Sequence, residues 1–334
     1  MSQTSTLTKK NSFLSKPLFK QSFKSNWVLW LIMTLGSAFI FIIINFAIGT
    51  KQIFTNINMD QVGVYVIDEG MSWLQILGLL EQMGFSLSRI EVMTQIDLNS
   101  VMCELIYKIA GVLLPMVFIM ITANKLIAAQ VNDGSMAYVL STPTNRKTVV
   151  RTQYIFLLVS VIVMYIVITV AALGSEGIAH AILVNNMRAK NPDFNEPWIP
   201  LRTLLYCIGS FVSMFGLMGI CFGASAWFNK SKNSTAVGGG ICIISFLACI
   251  LGLFGNEVFV AVGVGVKGMY AFNYLSLFTL IDTTSMSDFA KSFYPEMGVD
   301  ISYTWIWKLG ILVVIGAVFA YIGARRFVKK DLPL

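Results

Sequence analysis

Apolar positions in this chain fall into long runs separated by short polar stretches. Six runs reach the length of about 20 residues that a helix needs to cross a hydrocarbon core. They cover about Trp27–Gly49, Leu105–Ala129, Tyr154–Gly174, Thr203–Phe228, Thr235–Gly255 and Tyr303–Ala324. The first carries no charge, and Pro115 predicts a kink in the second. The pattern predicts an all-α integral membrane protein with six transmembrane helices.

The intervening segments predict smaller elements. In the amino-terminal tail, Lys16, Lys20 and Lys24 recur every four residues, with Leu14, Leu18, Phe19 and Phe23 on neighbouring helical positions. A helix there would lie flat, with Phe19 and Phe23 in the membrane interface and the lysines facing anionic lipid. Pro17 suits its first turn. The alternative is a disordered basic tail. The first outer segment, about residues 50–104, holds seven acids and an apolar run from Trp73 to Met83 too short to span. The second, about 175–202, has three prolines and reads as an irregular loop with a short helix around Ile178–Met187. In the third, about 256–302, Val258–Val266 and Met269–Ile281 are apolar but half the length of a span. Such a pair predicts a re-entrant hairpin, a backbone tolerated only under cover of protein or a cavity. Two further full spans are the alternative.

Composition narrows the class. Of 334 residues, 56% are hydrophobic and 12% charged, with a mean hydropathy of +0.73. A soluble domain carries about 25% charged residues. The chain lacks the polar side chains to cover a wetted surface, and it is too apolar to be disordered. The net charge of +7 is unevenly placed. Residues 1–26, 125–153, 229–234 and 325–334 hold 15 of the 24 basic residues and two of the 17 acids. By the positive-inside rule these segments are cytoplasmic, so both termini lie inside the cell membrane. The excess therefore reports topology, and nucleic acid is not an expected partner. The organisation expected is a cytoplasmic tail over 1–26 and one transmembrane domain over 27–334. No small-x-small site follows the first run, so that run reads as an uncleaved anchor.

Catalytic chemistry is sparse. The five cysteines contain no C-x-x-C pair and read as small buried hydrophobes, and His180 stands alone. No phosphate loop, zinc-protease or hydrolase motif occurs, and the middles of the runs have almost no ionisable residues. Ion-coupled carriers need such groups within the bilayer. A transporter of this kind must take its energy from a partner on its cytoplasmic face.

Residues 130–147 supply a candidate contact for that partner. Ser135 can cap a short helix on which Met136, Val139 and Leu140 share a face, and Pro143 stops it. The order here is Asp133-Gly134-Ser135-Met136, then Tyr138-Val139-Leu140, then Pro143 and Arg146, directly after the second of six spans. This arrangement resembles the permease subunits of ABC-2 type transporters, the type V exporters of Gram-positive-like systems. Their elbow helix is similar to the basic tail helix here, their re-entrant external helices to the half-length pair, and their basic endings to Arg325–Leu334. One departure is clear. Family members often carry glutamates four and two residues before the glycine, and here Gln130 and Asn132 stand there.

The resemblance implies an ATP-driven exporter. Two permease chains, alike or different, would pair with two cytoplasmic ABC ATPase subunits. ATP and Mg would bind on the ATPase, and this chain would hold no cofactor, metal or catalytic residue. The helix at about 135–142 would pass ATPase closure to the spans. The cargo expected is an amphipathic or hydrophobic molecule such as an antimicrobial peptide or a drug. The alternatives are export of lipid or cell-wall precursors, and a non-transporting sensor that uses segment 50–104. Gly209, Ser213, Gly216, Gly219 and Gly223 in the fourth run suit close helix packing.

Overall fold

A computed structural model describes residues 13–49, 107, 111–142, 144–190, 192, 197–255, 260, 265–294 and 301–330. Segment 50–104 and Pro143 lie outside the described residues. Among those described, every regular element is helical. They are α1 (Lys16–Gly49), α2 (Gly111–Leu126), α3 (Ala128–Asn132), α4 (Ser135–Ser141), α5 (Arg146–Lys190), α6 (Pro200–Trp227) and α7 (Ser231–Leu253). Two 3₁₀ helices (Lys267–Tyr274 and Leu277–Leu280) lead to α8 (Thr283–Lys291) and α9 (Thr304–Lys329). Six helical stretches are long and apolar enough to cross a membrane: α1, α2 with α3, α5, α6, α7 and α9.

Several expectations need correction. The basic tail helix is not a separate element. Helix α1 runs unbroken through it for 34 residues, because nothing between Pro17 and Trp27 stops a helix. Helix α5 likewise runs for 45 residues, absorbing the loop and short helix expected after Gly174. At about 1.5 Å per residue it measures about 67 Å, twice the core of a bilayer. Only Gly174 and Gly177 interrupt its propensity there, and isolated glycines weaken a helix without ending it. The break between α2 and α3 comes at Ile127, where the freed Ala128 N–H donates to the buried Ser225 hydroxyl at 3.0 Å. The described part of the third outer segment contains 3₁₀ helices of eight and four residues, neither long enough to span.

Polar rungs join α1 to α5. Ser22 donates to Gln153 at 2.8 Å, Trp30 Nε1 to the Ser160 carbonyl at 2.9 Å, and Asn45 Nδ2 to the Ser175 hydroxyl at 2.8 Å. Inside a bilayer, where apolar burial does not separate helix from lipid, such hydrogen bonds and close backbone packing hold helices together.

The most extensive pairing is α6 against α9. It is built on glycine. A Cβ on Gly223 would lie 2.6 Å from the Phe319 carbonyl oxygen, and one on Gly316 would lie 2.7 Å from that of Phe215. A Cβ on Gly219 would overlap the Gly316 carbonyl itself. These contacts are backbone on backbone, so no side chain can move aside. Small-residue packing is thus the role of Gly216, Gly219 and Gly223, and α9 answers with Gly316 and Gly323.

Candidate functional site

The site begins at the turn between α3 and α4. Gly134 takes a φ of 73°, the left-handed region where a Cβ clashes with the backbone. Gly134, not Ser135, occupies the cap position of α4, and Ser135 is its first helical residue. The Ser135 hydroxyl instead donates to the Gln130 carbonyl at 3.3 Å, bracing the turn. Helix α4 ends at Ser141, and Thr142 is extended. The Thr142 and Thr144 hydroxyls both donate to the Val139 carbonyl, so the exit is also hydrogen-bonded.

The orientation of α4 is a finding that sequence reasoning missed. Met136, Val139 and Leu140 do share a face, but that face turns inward. Met136 is fully buried, and Val139 and Leu140 pack against the core of the chain. A pattern of apolar positions identifies a buried face without saying what buries it. The outward residue is Tyr138, 80% exposed, flanked by the exposed Asp133, Ser135 and Ser141.

Arg146 opens α5 just beyond this turn and is half-buried. Its Nη1 donates to the Lys330 carbonyl at 2.8 Å. Lys330 in turn sends its ammonium into the end of α6, donating to the carbonyls of Ala226 at 2.9 Å and Phe228 at 3.2 Å. Those carbonyls belong to the last turn of α6 and its C-cap, where a helix has unpaired acceptors and a negative dipole end. Burial, with Arg326 nearby, lowers the Lys330 pKa to about 8. Sequence reading placed Lys330 only in a basic tail, since its partners lie a hundred residues away. Arg326 stacks on the Trp227 ring at 5.3 Å, adding a second cation to the same helix end. The start of α5, the end of α6 and the end of α9 therefore meet at one corner, a few residues along the chain from α4.

The residues expected at the membrane interface divide. Lys16, Lys20, Lys24 and Phe23 are exposed on α1. Phe19 turns inward and meets Phe156 edge-on at 5.5 Å. It belongs to the α1–α5 contact.

At the opposite end of the spans, Glu176 of α5 accepts from Thr203 and pairs with Arg202 at 3.4 Å. Asp282, the cap of α8, accepts from the Ser285 N–H at 3.1 Å, from Thr304 at 2.9 Å and from Lys308 at 2.5 Å. Burial raises the Asp282 carboxyl, but these three donors outweigh it and hold the pKa below the ordinary value. Both clusters join neighbouring helices. Among the described residues, no group of three His, Cys, Asp or Glu side chains is placed to hold a metal.

The family model of ABC-2 family transporter proteins covers residues 19–332 of this chain. The chain belongs to the ABC-2 family. No curated protein and no solved structure matches it significantly. It is thus a multi-pass membrane permease of an ABC transporter, the membrane component and not a catalytic one. Permeases of this family work with a cytoplasmic ABC ATPase.

Proposed function

We propose that this permease exports an amphipathic or hydrophobic cargo across the cell membrane, driven by ATP hydrolysis on a separate ATPase pair. The observation that carries the reading is the corner joining α4 to Arg146, Lys330 and the end of α6. Helix α4 presents Tyr138 outward and buries Met136 inward, so a push on its outer face reaches the core directly. Arg146 extends the connection to Lys330, and Lys330 extends it to α6. Helices α6 and α9, held backbone to backbone by glycine, then move as one body.

In this reading ATP and Mg bind on two ATPase subunits, which pair with two permease chains, alike or different, to form the transporter. The basic ends of the spans, both termini and the α3–α4 turn face the cytoplasm. The scarcity of charge in the spans suits an apolar or amphipathic cargo, an antimicrobial peptide or a drug. The contact with the ATPase rests on Tyr138 and the exposed polar rim of α4, and the apolar face takes no part in it.

Reconstitution with candidate ATPases tests the reading. Tyr138→Ala is expected to weaken ATPase capture while leaving the permease folded. Unchanged capture and unchanged ATP turnover in that variant would overturn the assignment of α4.

A further inference from the structure

Helix α9 has two faces. The buried one carries Leu312, Gly316, Ala320, Gly323 and Phe327 and includes the glycine contact with α6. Half a turn round the helix lie Trp307, Ile311, Val314, Val318 and Ile322, all exposed. Val314, at their midpoint, is 61% exposed, so no other helix of the described chain covers this line. Arg325 and Lys329 continue it and are exposed as well. From Trp307 to Arg325 the rise is about 27 Å, close to the thickness of a hydrocarbon core. The line thus places an interfacial aromatic at one end, branched aliphatic residues across the middle and cations at the other end. Residues 325–330 hold four cations, and the structure divides them. Arg326 lies over the Trp227 ring at 5.3 Å, and Lys330 donates to the end of α6. Arg325 and Lys329 have no ion-pair or hydrogen-bond partner among the described residues. Four residues apart on one helix, their side chains are neighbours that one small anion can bridge.

We propose that lipid covers this face of α9 and that its basic end holds the phosphate of an anionic phospholipid, the phosphatidylglycerol class. Arg325 and Lys329 donate to the one phosphate, and the acyl chains lie along Ile322 and Val318 toward Val314. A zwitterionic head group fits less well, because its own ammonium meets two cations with no acid beside them. A second copy of the chain also fits less well. Two copies in the same orientation, packed through this face, would set Arg325 and Lys329 against their own counterparts, and α9 has no acid to relieve them. The bulky residues of the line also contrast with the glycines through which helix backbones approach each other in a bilayer. Lipid binding here needs no ATPase, so it stands or falls apart from the coupling role given to α4.

The test uses the purified full-length permease in nanodiscs that hold equal amounts of phosphatidylglycerol and phosphatidylcholine with identical acyl chains. A photo-crosslinking benzophenone residue in place of Ile322 sits on the line about one turn from Arg325, and mass spectrometry identifies what it captures. Phosphatidylglycerol adducts are expected to outnumber phosphatidylcholine adducts about tenfold, from two cations each drawing an anionic head group. Arg325→Gln and Lys329→Gln are each expected to cut that ratio to about threefold, and the two together to bring it to the composition of the bilayer. Equal capture of the two lipids without these glutamine substitutions overturns the proposal, as does a preference that survives both of them. Capture of a second permease chain in place of lipid overturns it too and makes the line a subunit interface. Should the glutamine variants fail to fold, salt decides: the preference is expected to vanish in about 1 M salt, and its persistence there overturns the proposal.

Discussion

The Arg146 guanidinium donates to the carbonyl of Lys330, a residue 184 positions away that closes α9. That one bond ties the start of α5, just after the turn that follows α4, to the residue whose ammonium holds the end of α6. Arg146→Ala is expected to leave the helices assembled, since it removes about one charge-assisted hydrogen bond worth 1.5–3 kcal/mol. It is also expected to cut permease-dependent stimulation of the ATPase severalfold, measured against unchanged ATPase capture.

Lys330 carries a pH dependence of defined sign. Its pKa is lowered to about 8, so between about pH 8 and the ordinary lysine value near 10.4 the unfolded chain binds more protons than the folded one. Stability therefore rises across that window from this group and is flat on either side of it. Lys330→Met is expected to remove the rise. Thermal unfolding in detergent, followed from pH 7 to 10.5, reads the difference between the two proteins.

The α6–α9 contact makes a contrast between glycines. Gly219→Ala places a methyl against the Gly316 carbonyl and is expected to cost about 1–3 kcal/mol by overpacking. Gly240→Ala in α7 meets open space within the chain and is expected to be neutral, or to stabilise its helix by up to about 1 kcal/mol. Unfolding in denaturing detergent ranks the two. Equal effects would mean that α6 and α9 do not touch backbone to backbone.

Two neighbours on α4 should separate by mechanism. Met136→Ala empties a fully buried site and is expected to destabilise the permease by about 2–5 kcal/mol. Tyr138→Ala is expected to leave stability within about 0.5 kcal/mol, since its ring is exposed, and to act on ATPase capture alone. Melting temperature and co-purification, measured on the same two preparations, check both halves.

At the far end of the spans, the depressed Asp282 carboxyl adds stability above the ordinary carboxylate range. That stability is lost as pH falls through its lowered folded value. Asp282→Asn keeps the side chain's shape but removes the charge facing Lys308. Hydrogen exchange across Leu277–Lys291 is expected to quicken in this variant at pH 7, and in the wild type only in strong acid.

The spans were legible in the chain because a bilayer imposes a length and a composition that few other environments share. The short helix after the second span was legible from the spacing of Met136, Val139 and Leu140. Element ends were less so. No helix-breaking proline lies between Leu18 and Trp27 or between Gly174 and Lys190, so α1 and α5 extend past their apolar runs. The turn of Met136 into the core, the reach of Lys330 to Ala226 and the match of Gly219 to Gly316 depend on partners distant in sequence. Periodicity can mark each of these residues as special but cannot name its partner.

The central claim is that α4, Arg146, Lys330 and α6 form a single series of contacts. A double-mutant cycle on ATPase stimulation, with Arg146→Ala, Lys330→Met and the two combined in reconstituted complexes, tests it most directly. Links in series predict that each single variant lowers stimulation and that the double variant lowers it no further than the worse single one. Losses that simply multiply, as for two independent sites, would contradict it.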